Sequence, residues 1–218
     1  MPSGESSTTV SFCTEPTDAE LVERMANGDR DAFATLFRRH HATVFRFSRQ
    51  MLGSKEAAED VTQEVFIALA QTAARYEASR GSLSTYLYGI ARNLVYQRHR
   101  RNRSRVEVDV DGIDHDGSPA LAVSNDPVDE LSRARLVQSL RQAILRLPVH
   151  YREAIVLCEL NSLSYEEAAA IVGCPIGTIR SRLSRAREML IDRCRLSMGL
   201  TRVSEVWKPC LTPTKNGC

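Results

Sequence analysis

The stretch Ser164–Leu190, SYEEAAAIVGCPIGTIRSRLSRAREML, constrains this chain most. It reads as two helices joined by a tight turn. Ser164 can cap the first helix, and Glu167 stands at the capping-box spacing. Ala168, Ala169, Ile171 and Val172 give that helix a short apolar face. Gly173 suits the left-handed residue at a helix C-terminus, and Pro175 suits the first turn of the next helix. In the second helix Ile176, Ile179, Leu183, Ala186 and Leu190 keep one stripe inward. Thr178, Ser181, Ser184 and Arg185 then project outward, with Arg180 and Arg187 on one flank. A short helix, a glycine turn and an outward face of Arg and Ser is how a helix-turn-helix offers its second helix to the DNA major groove. The same pattern also fits an ordinary helical hairpin with a solvated basic face.

Charge distribution separates these readings better than net charge, which is only +2 over 218 residues. Between Arg92 and Arg105 there are six arginines and no acid. Between Val106 and Ser132 there are eight acids and neither Lys nor Arg. Between Ile176 and Arg195 there are again six arginines, against Glu188 and Asp192. Two basic blocks around an acidic stretch suggest two polyanion-binding surfaces with something different between them.

The cysteines at 13, 158, 174, 194, 210 and 218 include no CxxC pair, so no zinc site is signalled. The N-terminal residues lack a basic leader followed by an apolar run, and no apolar run is long enough to span a bilayer. A cytoplasmic protein with reduced thiols, no metal and no cofactor is the expectation.

Residues 1–16 are small and polar without periodicity, and read as disordered. Thr17 with Glu20 makes a capping box, ahead of Leu21, Val22 and Met25. A longer helix runs from near Asp29 to near Gly53, with Phe33, Leu36, Phe37, Val44 and Phe45 at helical spacing. Ser54 opens a third, whose buried stripe is Ala58, Val61, Val65, Phe66 and Leu69. Its opposite face holds Asp60, Gln63, Glu64 and Ile67, an exposed isoleucine among polar groups that suits a partner interface. After Gly81, a helix starting at Ser82 or Ser84 turns Leu83, Leu87, Ile90 and Leu94 inward. Tyr86, Tyr88, Asn93, Tyr96, Gln97 and the arginine run are then left available, a mixture suited to stacking on bases and neutralising phosphates. Residues 103–127 read as a linker. Helical periodicity resumes with Leu131, Leu136, Leu140, Ile144 and Leu147, breaks at Pro148, and continues through Tyr151, Ala154, Ile155, Leu157 and Leu160. His40 and His41 point about 100° apart on their helix and make a poor metal pair. No nucleophile motif or phosphate loop appears, so an enzyme finds little support.

Three of these stretches, in this order, resemble the extracytoplasmic-function (group IV) class of the sigma-70 family. AEDVTQEVFIALA resembles the region-2 helix that docks on the clamp helices of RNA polymerase. GSLSTYLYGIARNLVYQRHRR resembles the segment that recognises and melts the −10 element. LSYEEAAAIVGCPIGTIRSRLSRAREML resembles the region-4 helix-turn-helix that reads the −35 element. The resemblance implies an all-α fold with two small helical domains on a flexible acidic linker. The expected divisions are region 2 at 17–102, linker at 103–127, region 4 at 128–195 and a tail at 196–218. It implies core polymerase contacts at Asp60, Gln63, Glu64 and Ile67, with the polymerase flap as region 4's partner. It implies −10 contacts at Tyr86 (where the family has tryptophan), Asn93, Gln97, Arg98, Arg100 and Arg101. Asn93 falls where such factors use an asparagine on a flipped-out base. It implies −35 contacts at Thr178, Arg180, Ser181, Ser184, Arg185 and Arg187, and an anti-sigma protein as a further partner. The alternative function is a helix-turn-helix regulator with an N-terminal sensing or dimerising domain; that reading leaves the Arg92–Arg105 block and the Gln63 face without a role.

Overall fold

The computed structural model describes residues 15–106 and 127–198, with side chains for 15–101 and 136–193. Every regular element among them is helical: α1 Asp18–Ala26, α2 Arg30–Leu52, α3 Lys55–Thr72, α4 Leu83–Val106, α5 Pro127–Leu145, α6 Val149–Ile155, α7 Tyr165–Val172 and α8 Ile176–Met198. The starts of α1 and α7 are fixed locally. Thr17 Oγ1 accepts from Glu20 N while the Glu20 carboxylate accepts from Thr17 N, and Ser164 and Glu167 repeat the arrangement. Asp29 and Ser54 cap α2 and α3. Gly173 closes α7 at φ 72° and ψ 43°, the left-handed conformation that glycine adopts without strain.

Helices α1 to α4 form one bundle, with α2 packed on α1, α3 and α4. Its core includes Leu36, Val44, Phe47 and Met51 from α2, with Val61, Val65, Phe66 and Leu69 from α3. The α2 stripe includes Phe47, which is fully buried, while the expected Phe45 is half-buried outside it, its ring parallel to His41 at 6.2 Å. His40 is a packing residue. Its Nε2 lies 2.8 Å from Asp18 Oδ2 and its Nδ1 3.5 Å from Ser84 Oγ, tying α2 to α1 and α4.

Helices α5 to α8 form the second bundle, in which α8 packs on α5, α6 and α7. The helix expected from Tyr151 to Leu160 is α-helical only to Ile155. Residues Val156–Leu160 continue as one wider π turn, in which Asn161 N donates to Val156 O at 3.1 Å. On α5, Ile144 is buried but Leu136, expected inward, is 47% exposed.

The two bundles touch, with α7 against α4 and the end of α5 against α2. Gly53 stands at φ 81°, a conformation that favours glycine, and a Cβ there would lie 2.9 Å from Leu145 Cδ1, which would have to shift. Helix α4 continues to Val106, so the linker expected from 103 begins inside a helix. Residues 107–126 of that linker, the 1–14 part of the N-terminal extension and the tail from 199 lie outside the described residues, and Pro127 already opens α5.

Candidate nucleic-acid and polymerase interfaces

On α3 the expected stripe of Ala58, Val61, Val65, Phe66 and Leu69 is wholly buried. Spacing then forces Asp60, Gln63, Glu64 and Ile67 to the opposite side, where all four are exposed. Ile67 is 57% exposed, among the few large apolar side chains that the described residues present to solvent. Two of these acids are already engaged. Arg98 of α4 donates to Asp60 Oδ2 at 3.2 Å and to Glu64 Oε1 at 2.8 Å. Burial works against the Arg98 charge, but its bonds to Glu64 and Asp60 outweigh that and hold its pKa above the ordinary value. Arg98 therefore faces α3, a departure from its expected place on the −10 surface.

Helix α4 presents three longitudinal faces. Leu87, Ala91 and Val95 are buried in the first bundle. Asn93, Gln97 and Arg101 follow at intervals of four, with Arg100 beside them; all are exposed and form one polar surface. The third face meets the second bundle. Tyr88, 3% exposed, is edge-on to Phe47 of the first bundle at 5.3 Å, and burial pushes its pKa to about 12. Tyr96 donates to Glu153 Oε2 at 3.0 Å; burial, then the Glu153 charge, raise it also to about 12. Tyr88 and Tyr96 are thus not available for stacking. Tyr86 is half-buried, its hydroxyl 3.0 Å from Thr72 Oγ1 and its ring tilted against Tyr76 at 5.6 Å.

Residues that periodicity passed over stand at the junction. Glu153 is 0% exposed. It accepts from Arg92 Nε at 2.5 Å and from Tyr96, and lies 3.9 Å from Arg182 Nη1 of α8. Arg152 donates to the Met51 carbonyl at 2.5 Å and to the Leu147 carbonyl at 3.1 Å, with a further bond to Leu145. It thereby satisfies carbonyls at the ends of α2 and α5 that have no helical donor. The available signal is a charged pair set directly before the apolar run from Ala154 to Leu157.

On α8, Ile179, Leu183, Ala186 and Leu190 are buried as the stripe requires, while Ile176 is 36% exposed and lies outside it. Arg180, Ser181, Ser184 and Arg185 are exposed on one continuous face, with Thr178 at its half-buried edge. Arg187 departs from expectation. It bonds Glu159, and although burial opposes its charge, Glu159 and then the Tyr165 hydroxyl hold its pKa above the usual value. That guanidinium is an internal clamp. Cys158, beside it, is pushed up to about 11 by burial and then by the Glu159 charge. Among the described residues no group of His, Cys, Asp or Glu is placed to hold a metal, and no helix is long and apolar enough to cross a membrane.

The two bundles correspond to two known units: residues 36–105 match Sigma-70 region 2, and residues 137–190 match Sigma-70, region 4. The ECF RNA polymerase sigma-E factor of Escherichia coli K12 is 36% identical over 182 residues, covering 81% of this chain and 94% of the relative. The ECF RNA polymerase sigma factor SigW of Bacillus subtilis is 32% identical over 178 residues, covering 80% and 95%. Among solved structures, the sigma factor RpoE of Bartonella quintana, crystallised with the anti-sigma factor NepR, is 30% identical, with a TM-score of 0.62 over 76% of this chain and 98% of that one. On its two sigma-70 regions and its likeness to these relatives over most of their length, the chain belongs to the extracytoplasmic-function class of the sigma-70 family of RNA polymerase sigma factors.

Proposed function

We propose that this chain binds core RNA polymerase, carries it to promoters with −35 and −10 elements and promotes DNA opening there, acting in the cytoplasm as an initiation factor and not as an enzyme. Asp60, Gln63, Glu64 and Ile67 of α3 dock on the clamp helices, and the second bundle meets the flap. Tyr86, Asn93, Gln97, Arg100 and Arg101 serve the −10 element; Tyr86 acts from a half-buried ring. Thr178, Arg180, Ser181, Ser184 and Arg185 serve the −35 element. Residues 17–102 and 128–195 are the two working domains, and an anti-sigma protein is a further partner.

One observation carries this reading over a helix-turn-helix regulator. The α4 surface of Asn93, Gln97, Arg100 and Arg101 is exposed in addition to the α8 face, and the Ile67 face of α3 is exposed as well. A regulator uses α8 alone. Base reading by Asn93 fits an unstacked strand, since a pairing edge is reachable only outside the stack. The purified chain should co-elute with core polymerase and direct run-off transcription from genomic fragments. A folded chain that binds DNA but never associates with core polymerase would return the assignment to the regulator.

A further inference from the structure

Tyr165 is the first residue of α7 and lies against the flank of α8. The Ser164–Glu167 capping box fixes the backbone on which it stands. Two arginines two turns apart on α8 reach it. The Arg180 guanidinium carbon sits 5.8 Å from the centre of its ring, and Arg187, bonded to Glu159, has the Tyr165 hydroxyl as a lesser contributor to keeping its charge. The two contacts differ in kind. Arg187 is half-buried and bonded to an acid, so its guanidinium is committed inward. Arg180 is exposed on the face that carries Ser181, Ser184 and Arg185. A guanidinium stacked on an aromatic face is held by the ring quadrupole while its N–H edge stays free to donate. An exposed arginine without such a platform must be ordered when DNA binds, which weakens the contact.

We propose that Tyr165 is a positioning residue for −35 recognition: its ring holds the Arg180 guanidinium in the α8 face and so sets the preference at the base pair that Arg180 meets. This rests on the assignment of the α8 face to −35 DNA.

The test uses holoenzyme reconstituted from core polymerase and the full chain, selecting from a library randomised across the −35 element. Arg180→Ala should lose preference at one or two positions. Tyr165→Leu should weaken preference at those same positions by roughly 2- to 5-fold, the range of an exposed cation–π contact. Tyr165→Phe keeps the ring and should select as the wild type does. Tyr165→Leu added to Arg180→Ala should change the selected sequences no further. If Tyr165→Leu selects wild-type sequences while Arg180→Ala does not, the positioning role is overturned and the α8 reading stands. If Arg180→Ala also selects wild-type sequences, Arg180 does not read bases and both fall. Uniform weakening on every sequence by Tyr165→Leu makes Tyr165 a phosphate contact or a packing residue, and equal loss in Tyr165→Phe assigns the effect to the hydroxyl; either overturns the inference. The stack is also measurable in the unaltered chain. The Arg180 δ-methylene protons should resonate upfield of the random-coil position through the ring current, and an unshifted signal overturns the inference even if Tyr165→Leu fails to fold.

Discussion

The two basic helices divide their arginines by the same rule, but they find their inward partners in different places. On α8, Arg180 and Arg185 are exposed at the working face, while Arg182 and Arg187 turn back to Glu153 and Glu159. On α4 the inward partners come from both sides. Arg92 meets Glu153 of the other bundle and Arg98 meets Asp60 and Glu64 of α3, while among the described residues the Asn93–Gln97–Arg101 line, with Arg100 beside it, stays exposed. Helix α8 packs on α5, α6 and α7, and α4 on α2, α3 and α7, so each keeps a narrow outward face. Among the described residues α4 turns Arg92 and Arg98 inward and keeps Arg100 and Arg101 exposed, while α8 turns Arg182, Arg187 and Arg193 inward and keeps Arg180 and Arg185 exposed, so counting basic residues overstates the outward charge of both helices.

The largest effect should come from the carboxylate the two helices share. Glu153 is fully buried with Arg92, Tyr96 and Arg182 around it. Removing one partner of a buried charge cluster costs about 3–5 kcal/mol, because the remaining charges lose their compensation. Glu153→Ala should lower stability by that amount in denaturant titration. A wild-type midpoint would show that the junction contributes nothing and that α4 is not held on its third side.

Arg185 and Arg187 separate the two roles on a single helix. Arg187→Ala removes a charge-assisted clamp worth about 1.5–3 kcal/mol and leaves Glu159 without its partner. It should lower the melting temperature without altering which −35 sequences are selected. Arg185→Ala should do the reverse. It should keep stability nearly unchanged and relax preference at one or two base pairs, by about 1–3 kcal/mol of discrimination. Thermal melts beside library selection check both, and exchange of the two phenotypes would invert the partition drawn here.

How much of this was legible in the sequence depends on range. Both capping boxes, the Gly173 turn and the α3 stripe follow from residues a few positions apart, and the structure has them where the spacing put them. The exposed faces of α3 and α8 follow as complements of those stripes. What the sequence hid was long-range. Arg98 finds Asp60 across 38 positions, Arg187 finds Glu159 across 28, and Arg92 finds Glu153 across 61. Periodicity assigns a side chain to a face but not the element waiting there. Helical spacing alone leaves Tyr88 and Tyr96 outward, but Phe47 of α2 meets the first and Glu153 of α6 the second.

An intermediate effect is expected at the polymerase face. Gln63→Ala with Ile67→Asp changes two exposed side chains on α3, so the fold should persist with stability within about 0.5 kcal/mol of the parent. Association with core polymerase should weaken in a native-gel titration. Undiminished association by the folded double variant would remove this face from the interface and leave Ile67 as an isolated surface residue.

The smallest effect is the most discriminating for α4. Arg98 bonds two acids whose side chains are 60% and 49% exposed, and pairs of that kind contribute roughly 0–1 kcal/mol. Arg98→Ala should therefore leave the melting temperature nearly where it was. Its guanidinium is directed at α3, so promoter binding by the holoenzyme should keep the salt dependence of the parent. Arg101→Ala, on the outward line, should flatten that dependence by about one unit of slope, the signature of one lost phosphate contact. The pair is informative because the two residues are nearly adjacent, carry the same charge and alter net charge identically. A bulk electrostatic origin for promoter affinity predicts equal slopes for the two variants. Partition by face predicts that only Arg101→Ala changes it. If Arg98→Ala flattens the slope as much, polymerase has drawn Asp60 and Glu64 away from Arg98 and released it toward DNA, and the narrow face of α4 belongs only to the unbound chain.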